Sequence, residues 1–233
     1  DANRRKRFNF KNVNNEIFAS VDVGSSSINP HAEASFSPVR PALIAFLCLD
    51  ISTKAINSGL TTLIDGVSVW NDLDISTKKI LQRLKIRYYL EIDIDAKKNP
   101  KGSIIPSYLD YIDVSEVYLD TKNAKLNFTY ETPFVKEHPI TRKLSIANHA
   151  FIPLEQELQI KKRKFFLDQK YFELNDPLLN DIYNNIHKHT YTHKWTKSSY
   201  LIIDNYRFMH GRLGYDASQI RKIIIRQLKN FKL

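Results

Sequence analysis

Residues 200–212 read Tyr-Leu-Ile-Ile-Asp-Asn-Tyr-Arg-Phe-Met-His-Gly-Arg. The first four residues form a short apolar run, which is typical of a buried strand. The polar pair Asp204 and Asn205 ends that strand, and His210 stands directly before Gly211, a residue that favours turns. The stretch therefore predicts a β-rich fold with an imidazole in a turn at the rim of a barrel or sandwich.

Comparable short strands recur on both sides of this stretch. Residues 42–49 form a nearly continuous apolar run, and residues 87–95 alternate as a half-buried strand does. Further strand-like segments cover residues 61–64, 118–130, 144–151 and 223–225. Many short strands with few helices predict a mainly β fold, an antiparallel barrel or sandwich flanked by helices.

Two helices are predicted between these strands. The first opens at Asp74 and would carry Ile80, Leu81 and Leu84 on one face. The second opens at residues 175–177, where an asparagine cap precedes a proline in the first turn. The residues of its apolar face are Leu178, Leu179, Ile182, Tyr183 and Ile186.

The chain has 233 residues, which predicts one domain, 1–233, large enough to enclose a buried site. We expect its core to span residues 29–228, with an irregular insert at 96–120 of the kind that covers a site. The sequence shows neither a long apolar run nor a signal-like start, so we expect no membrane span and a cytoplasmic location. Cys48 is the only cysteine and lies in an apolar run, so we interpret it as a buried hydrophobe.

The formal net charge of +10 at pH 7 is compatible with nucleic acid, an acidic protein or an anionic substrate. The basic residues are scattered, however, with short clusters at 4–7, 97–98 and 161–164. A nucleic-acid surface is usually a stripe on one element, so we interpret most of the charge as solvated surface and predict no nucleic-acid partner. A basic protein that binds nucleic acid or an acidic partner is the non-enzymatic alternative.

A metal site is predicted from His31, Glu33 and His210. Residues i and i+2 of a strand face the same side, so His31 and Glu33 would point together and Ala32 away. This pair alone is a weak signal, because it arises readily by chance. A distant histidine completes two imidazoles and one carboxylate, the protein ligands of a facial-triad iron site with open positions for a cosubstrate and O2.

Arg221 follows His210 by eleven positions, at the head of another apolar strand. A guanidinium can form a bidentate ion pair with the far carboxylate of a dicarboxylate held on the metal. The pattern therefore predicts a non-haem Fe(II) oxygenase that uses 2-oxoglutarate. A rival cluster of His187, His189 and His193 contains no carboxylate, and we interpret these side chains as exposed.

Five motifs, in order across residues 29–228, resemble the taurine dioxygenase superfamily. The closest resemblance is to the subgroup near clavaminate synthase and the syringomycin-type aspartyl hydroxylases. The opening motif is His31-Ala32-Glu33-Ala34-Ser35-Phe36-Ser37 with Pro41 and Phe46-Leu47-Cys48-Leu49. The other motifs lie in residues 58–73, 138–148, 195–212 and 221–224.

The resemblance implies a double-stranded β-helix (jelly-roll, cupin-like) oxygenase core that uses Fe(II), 2-oxoglutarate and O2. It implies that the iron ligands are His31, Glu33 and His210, which would be the catalytic centre. It implies that Thr61 and Arg221 bind 2-oxoglutarate, Thr61 through its hydroxyl and Arg221 at the distal carboxylate. Asn148 and Arg212 are implied to lie near the substrate.

The resemblance also implies the reaction. We expect hydroxylation of an unactivated C–H bond of an amino acid or amino-acid-like small molecule, free or tethered to a carrier protein, in natural product biosynthesis. Desaturation, epoxidation and cyclisation are the alternatives on the same scaffold. Glu33 argues against halogenation, since such halogenases have a small residue there. Ile225 stands where taurine dioxygenase has its sulfonate-binding arginine, which argues against a sulfonate substrate.

Overall fold

The computed structural model describes residues 9–11, 17–21, 24–38, 40–52, 58–93, 118–156 and 159–228. The insert predicted at 96–120 lies outside these residues except for its last three, which form a strand. The described residues contain sixteen strands, three α-helices and a short 3-10 turn at Leu154–Gln156. The predicted mainly β class is confirmed.

Fourteen of these strands form three sheets, and every pairing among them is antiparallel. The first sheet has the order β1 (Asn9–Lys11), β2 (Ile17–Ser20), β16 (Arg221–Leu228), β4 (Leu43–Ile51) and β14 (Tyr200–Asp204). The second has the order β13 (Thr190–His193), β5 (Thr61–Asp65), β15 (Phe208–Arg212) and β3 (Ile28–His31). The third has the order β12 (Lys170–Phe172), β11 (Ile160–Leu167), β6 (Leu84–Asp93), β8 (Lys125–Pro133) and β7 (Tyr118–Asp120). A hairpin of β9 (Lys136–Glu137) and β10 (Leu144–Ser145) completes the strands.

Neighbouring strands in the first two sheets come from opposite ends of the chain. β16 lies between β2 and β4, and β15 lies between β5 and β3. The register sets His210 opposite His31 and Arg212 opposite Thr61. This interleaving brings the motifs near residue 31 together with those near residue 210.

A helix that the sequence analysis did not predict follows β5. α1 (Gly66–Asp72) is capped by Asp65, whose carboxylate accepts hydrogen bonds from the backbone N–H groups of Val67 and Ser68. Arg207 holds the same carboxylate through Nε at 3.0 Å and Nη2 at 2.6 Å. Burial opposes ionisation of Asp65, but the hydrogen bonds outweigh it and lower its pKa. The carboxylate therefore stays ionised where it caps the helix.

The two predicted helices are present. α2 (Ile75–Leu81) is shorter than expected, since Leu84 opens β6 instead of continuing the helical face. α3 (Asp176–Lys188) begins as predicted, with the Asn175 side chain accepting a hydrogen bond from the N–H of Leu178. The face of α3 that packs inward contains Leu178, Ile182 and Ile186, whereas Tyr183 is exposed.

Two apolar clusters form the core. The larger lies among α1, α3, β6 and β8, and the smaller includes Phe46, Cys48, Trp195, Ile223 and Ile225. Cys48 is buried, as predicted. Among the described residues, no helix has both the length and the apolar character that crossing a bilayer requires.

Candidate active site

The side chains of His31, Glu33 and His210 converge. Each offers one ligand atom, and these three atoms lie within 4.8 Å of one another. His31 ends β3, Glu33 lies in the turn that follows it, and His210 lies in β15 beside β3. Alternation predicted that Glu33 would lie on the same strand as His31. This was wrong, because Glu33 reaches the cluster from a turn.

The turn predicted at His210 is not found there. The turn covers residues 205–207, and His210 and Gly211 both belong to β15. A Cβ atom on Gly211 would lie 2.6 Å from the carbonyl oxygen of Ile28 and 2.7 Å from Oγ1 of Thr62. Glycine is needed here because it lets three strands approach closely beside His210.

The His31 ring is held in one orientation. Its Nδ1 lies 3.0 Å from the carbonyl oxygen of Asn29, an acceptor, so Nδ1 carries the proton and donates it. Nε2 is then left with its lone pair and lies 3.8 Å from Oε2 of Glu33. Fixing the tautomer through the second ring nitrogen is how metal-binding histidines are usually oriented.

His210 is kept neutral by its surroundings. Burial, and then the nearby charge of His31, lower the pKa of His210 to about 3. Its Nδ1 is buried and has no hydrogen-bond partner among the described residues. The ring centroids of His31 and His210 are 4.3 Å apart. Two imidazoles beside a carboxylate, with an orphaned buried nitrogen on His210, fit a divalent metal ion such as Fe(II).

Glu33 is positioned by two residues to which the sequence analysis assigned no role. Gln227 donates a hydrogen bond from Nε2 to Oε1 of Glu33 at 2.6 Å. The buried amide of Asn205 accepts from the backbone N–H of Glu33 and donates to its carbonyl oxygen, both at 2.9 Å, and donates to Pro41 at 2.8 Å. One carboxylate oxygen is therefore engaged by Gln227, while Oε2 faces His31.

The sequence signal for Gln227 is strand alternation. One face of β16 carries its alternate residues, namely Arg221, Ile223, Ile225 and Gln227. Once Arg221 is expected to face the site, Gln227 is expected to face inward too. Only the register of β16 shows that it reaches Glu33.

A third histidine, His149, packs against the cluster and was not predicted. It is buried, and its ring centroid lies 5.2 Å from that of His31 in an edge-on arrangement. Nδ1 of His149 lies 3.3 Å from the carbonyl oxygen of Ala32. His149 directly follows Asn148 in a motif that was singled out, but nothing in that motif marked it as a neighbour of His31.

Thr61 and Arg221 meet in a second part of the site. Arg221 is buried, and it donates from Nε to the carbonyl oxygen of Gly59 at 2.9 Å and from Nη2 to Oγ1 of Thr61 at 3.3 Å. Trp195 donates from its indole nitrogen to the same Oγ1 at 2.9 Å. Both neighbours are donors only, so the hydroxyl proton of Thr61 points to another acceptor.

Gly59 makes room for this arrangement. Its φ is +61°, in the left-handed region, and a Cβ would lie 3.0 Å from both Cδ of Arg221 and Cδ1 of Tyr215. The Arg221 guanidinium lies 5.8 Å from the centroid of the Tyr215 ring. A larger residue at 59 would push the guanidinium away from Thr61.

Asn148 and Arg212 make hydrogen bonds with the protein. Asn148 donates from Nδ2 to the carbonyl oxygen of Phe134 at 3.0 Å, and its backbone oxygen accepts from Ala32 at 2.8 Å. Arg212 donates from Nη2 to the carbonyl oxygens of Gly24 and Ser26 at 2.8 and 2.7 Å. Both therefore support backbone near the site, and their contact with substrate stays a prediction.

A family model matches the sequence over almost the whole chain. The model described as "Taurine catabolism dioxygenase TauD, TfdA family" covers residues 3–227. The chain belongs to the TauD/TfdA family. Membership in this family bears out the resemblance seen in the motifs. The narrower subgroup stays a prediction.

Solved structures agree with the TauD/TfdA fold. PvcB from Pseudomonas aeruginosa has a TM-score of 0.56 at 16% identity, over 88% of this chain and 58% of that one. AAD-2, in complex with Mn(II) and N-oxalylglycine, has a TM-score of 0.55 at 19% identity, over 88% of this chain and 69% of that one. Another structure, of PvcB as an Fe, α-ketoglutarate-dependent oxygenase from an isonitrile synthetic pathway, has a TM-score of 0.53 at 14% identity, with 88% and 58% covered.

These likenesses show the fold, and they confirm the predicted jelly-roll core. The chain spans 58% of the length of PvcB. No curated protein matches the chain significantly in sequence.

Proposed function

We propose that this TauD/TfdA-family chain is an Fe(II)- and 2-oxoglutarate-dependent oxygenase. Its substrate would be an amino acid or amino-acid-like small molecule, free or carrier-tethered, and the reaction would be hydroxylation of an unactivated C–H bond in specialised metabolism. The observation that carries the proposal is the convergence of ligand atoms from His31, Glu33 and His210 within 4.8 Å.

In this proposal the three residues would hold ferrous iron. When bound, the iron supplies activation of O2 coupled to oxidative decarboxylation of 2-oxoglutarate to succinate and CO2. His31 and His210 would contribute nitrogen donors, and Glu33 would contribute a carboxylate oxygen. Gln227 holds Oε1 of Glu33, and Oε2, which faces His31, is the oxygen that would reach the metal.

Thr61 and Arg221 would bind the cosubstrate. The Thr61 hydroxyl already accepts two hydrogen bonds, so its proton is suited to a carboxylate oxygen. The Arg221 guanidinium is buried, and a carboxylate is the anion that its planar donors match best. Trp195 contributes by fixing the Thr61 side chain.

The test measures succinate formed from 2-oxoglutarate by purified protein with Fe(II) and O2, without a substrate. The parent protein is expected to form succinate slowly, and His31→Ala is expected to abolish it. Arg221→Ala is expected to lose nearly all of it when 2-oxoglutarate is near the KM of the parent protein. His187→Ala, an exposed histidine outside the cluster, is the matched control and should match the parent. Parent-like rates in both site variants would refute the assignment.

The substrate class is tested separately. A screen that offers free amino acids and the same amino acids on an acidic carrier protein should raise succinate formation for one format and yield a hydroxylated product. A product lacking two hydrogens would favour desaturation or cyclisation instead, and an added oxygen across a double bond would favour epoxidation.

A further inference from the structure

The backbone of Ala32, the middle residue of segment 31–33, is held by two consecutive residues of the loop that follows β10. Its N–H donates to the carbonyl oxygen of Asn148 at 2.8 Å. Its carbonyl oxygen lies 3.3 Å from Nδ1 of His149, and since a carbonyl oxygen only accepts, Nδ1 is the donor. The same oxygen also accepts from the N–H of Ser35 at 3.3 Å. The loop therefore fixes the segment that carries two of the three predicted metal ligands.

The His149 ring packs between two residues that lie on opposite sides of Glu33 in the sequence. Its centroid is 5.2 Å from that of His31 and 4.8 Å from that of Phe36, with interplanar angles of 79° and 71°. His149 is buried, and edge-on ring pairs of this kind are favourable. The ring is therefore placed to limit rotation of the His31 imidazole.

His149 is not one of the converging ligands. Among the described residues, the group whose ligand atoms lie within 4.8 Å of one another consists of His31, Glu33 and His210. An effect of His149 on a bound metal would therefore pass through the His31 ring and the Ala32 carbonyl group.

The loop around His149 is held in turn by Arg163 of β11. Nη1 of Arg163 donates to the carbonyl oxygens of His149 and Ile152 at 3.0 and 3.1 Å. Within the loop, Oδ1 of Asn148 accepts from the N–H of Ala150 at 2.9 Å. The third sheet is therefore connected through this loop to the cluster of predicted ligands.

We propose that His149 is a positioning residue for the metal site and that Arg163 supports it from the third sheet. The inference rests on the proposed function, because it needs a metal ion at the cluster. Histidine suits this position because Nδ1 reaches the carbonyl oxygen of Ala32 while the edge of the ring packs against His31. Phenylalanine would keep a ring and lose the donor, whereas asparagine would keep a donor near the position of Nδ1 and lose the ring.

The test is a titration of Co(II) into the metal-free protein, followed by calorimetry and by the visible spectrum of the bound ion. His149→Phe should lower the Co(II) affinity about tenfold, in the range found for partners of metal ligands. It should also shift the spectrum, because the His31 imidazole would meet the ion in a different orientation. His149→Asn, which keeps a donor, should restore most of the lost affinity. His187→Phe, at an exposed histidine of α3, is the matched control and should match the parent.

Arg163→Met tests the support from the third sheet and leaves His149 in place. It should shift the Co(II) spectrum in the same direction as His149→Phe, with a smaller loss of affinity. Lys162→Met, at an exposed neighbouring position on β11, is its control and should leave both unchanged.

Parent-like Co(II) affinity and spectrum in His149→Phe would overturn the inference and leave the proposed function intact. A loss of thermal stability without a change in the spectrum would also overturn it, since the role would then be purely structural. A parent-like result in Arg163→Met would overturn the support assigned to Arg163 and, if His149→Phe does not fold, the whole inference. If the parent protein binds no Co(II), the proposed function fails and the inference fails with it.

Discussion

Two groups of histidines in this chain differ in how sequence separation relates to distance in the structure. His31 and His210 lie far apart in sequence, yet their ring centroids are 4.3 Å apart. His187, His189 and His193 lie within one short segment, yet the described residues contain no converging group of metal ligands there.

The second group disperses because its residues belong to different elements. His187 is exposed in α3, whereas His189 follows the helix and its Nε2 lies 2.8 Å from Oδ2 of Asp72. His193 is in β13, and its ring packs edge-on against Trp195 at 4.5 Å. A helix end and a strand point side chains in different directions, whereas the β3–β15 register sets His31 opposite His210. Sheet register, and not nearness in sequence, therefore brings ligands together.

The largest effect on metal affinity is expected when one of the converging histidines is removed. His31→Ala or His210→Ala should lower the affinity for Co(II), a stand-in for Fe(II), by at least about 100-fold, since loss of a direct ligand costs more than loss of an outer partner. Calorimetric titration of Co(II) into the metal-free protein measures it. Affinity within threefold of the parent in either variant would show that the cluster does not hold the metal.

The next largest effect is expected at Arg221, the residue proposed to bind 2-oxoglutarate. Arg221→Met should raise the KM for 2-oxoglutarate about 100-fold, because removing one partner of a buried charged pair costs about 2–5 kcal/mol. The Co(II) affinity should stay within twofold of the parent. Steady-state succinate assays measure the change, and Lys222→Met, an exposed neighbour on β16, is the control. Equal KM values in the two variants would remove Arg221 from the site.

Asn205 supports the turn that carries Glu33. Asn205→Ala should lower the free energy of unfolding by about 2–3 kcal/mol, because it leaves buried backbone groups of Glu33 and Pro41 without partners. Urea denaturation followed by fluorescence measures the loss. Asn71→Ala, at an exposed position, should change stability by less than about 0.5 kcal/mol; a similar small loss at Asn205 would contradict the support role.

Gln227 is expected to affect metal binding only through Glu33, whose Oε1 accepts its hydrogen bond. Gln227→Leu should lower Co(II) affinity about tenfold, in the range found for partners of metal ligands. The visible spectrum of bound Co(II) should also change, since Glu33 is then free to turn. Gln82→Leu, on the surface, is the matched control. An unchanged spectrum and affinity would argue that the 2.6 Å hydrogen bond has no role in holding metal.

The smallest effect is expected in the dispersed group. His189→Ala removes an exposed contact with Asp72, and such surface pairs contribute little to stability. Thermal unfolding should therefore shift little, and Co(II) affinity should be unchanged. A clear loss of metal binding in this variant would mean that the rival histidines take part in a site after all.

Local features were predicted well. Apolar runs located β4 and β14, and the cap at Asn175 located the start of α3, because capping and periodicity depend on residues within a few positions of one another. The reach of α2 to Leu84 was wrong, since periodicity alone does not say where a helix gives way to a strand. α1 was missed for the same reason: its cap, Asp65, is also the last residue of a strand.

Some residues of the candidate site could be predicted from the sequence, and others could not. The structure brings His31, Glu33 and His210 into one cluster and Thr61 and Arg221 into contact. Of these, His31, Glu33, His210 and Arg221 could be picked out from residue type and order, and Thr61 from the family resemblance. His149 and Gln227 could not, because their proximity to that cluster follows from packing and from the position of β16 across the first sheet.

Residue type and the lengths of the apolar runs thus indicated the class of fold, the candidate donor set and the arginine suited to a dicarboxylate. The tertiary structure alone decided that His210 lies in a strand and not in a turn, and that Glu33 reaches the cluster from beyond β3. The physical reason is that strand pairing between distant segments is set by the burial of whole sheet faces, a free energy that no short stretch of sequence contains.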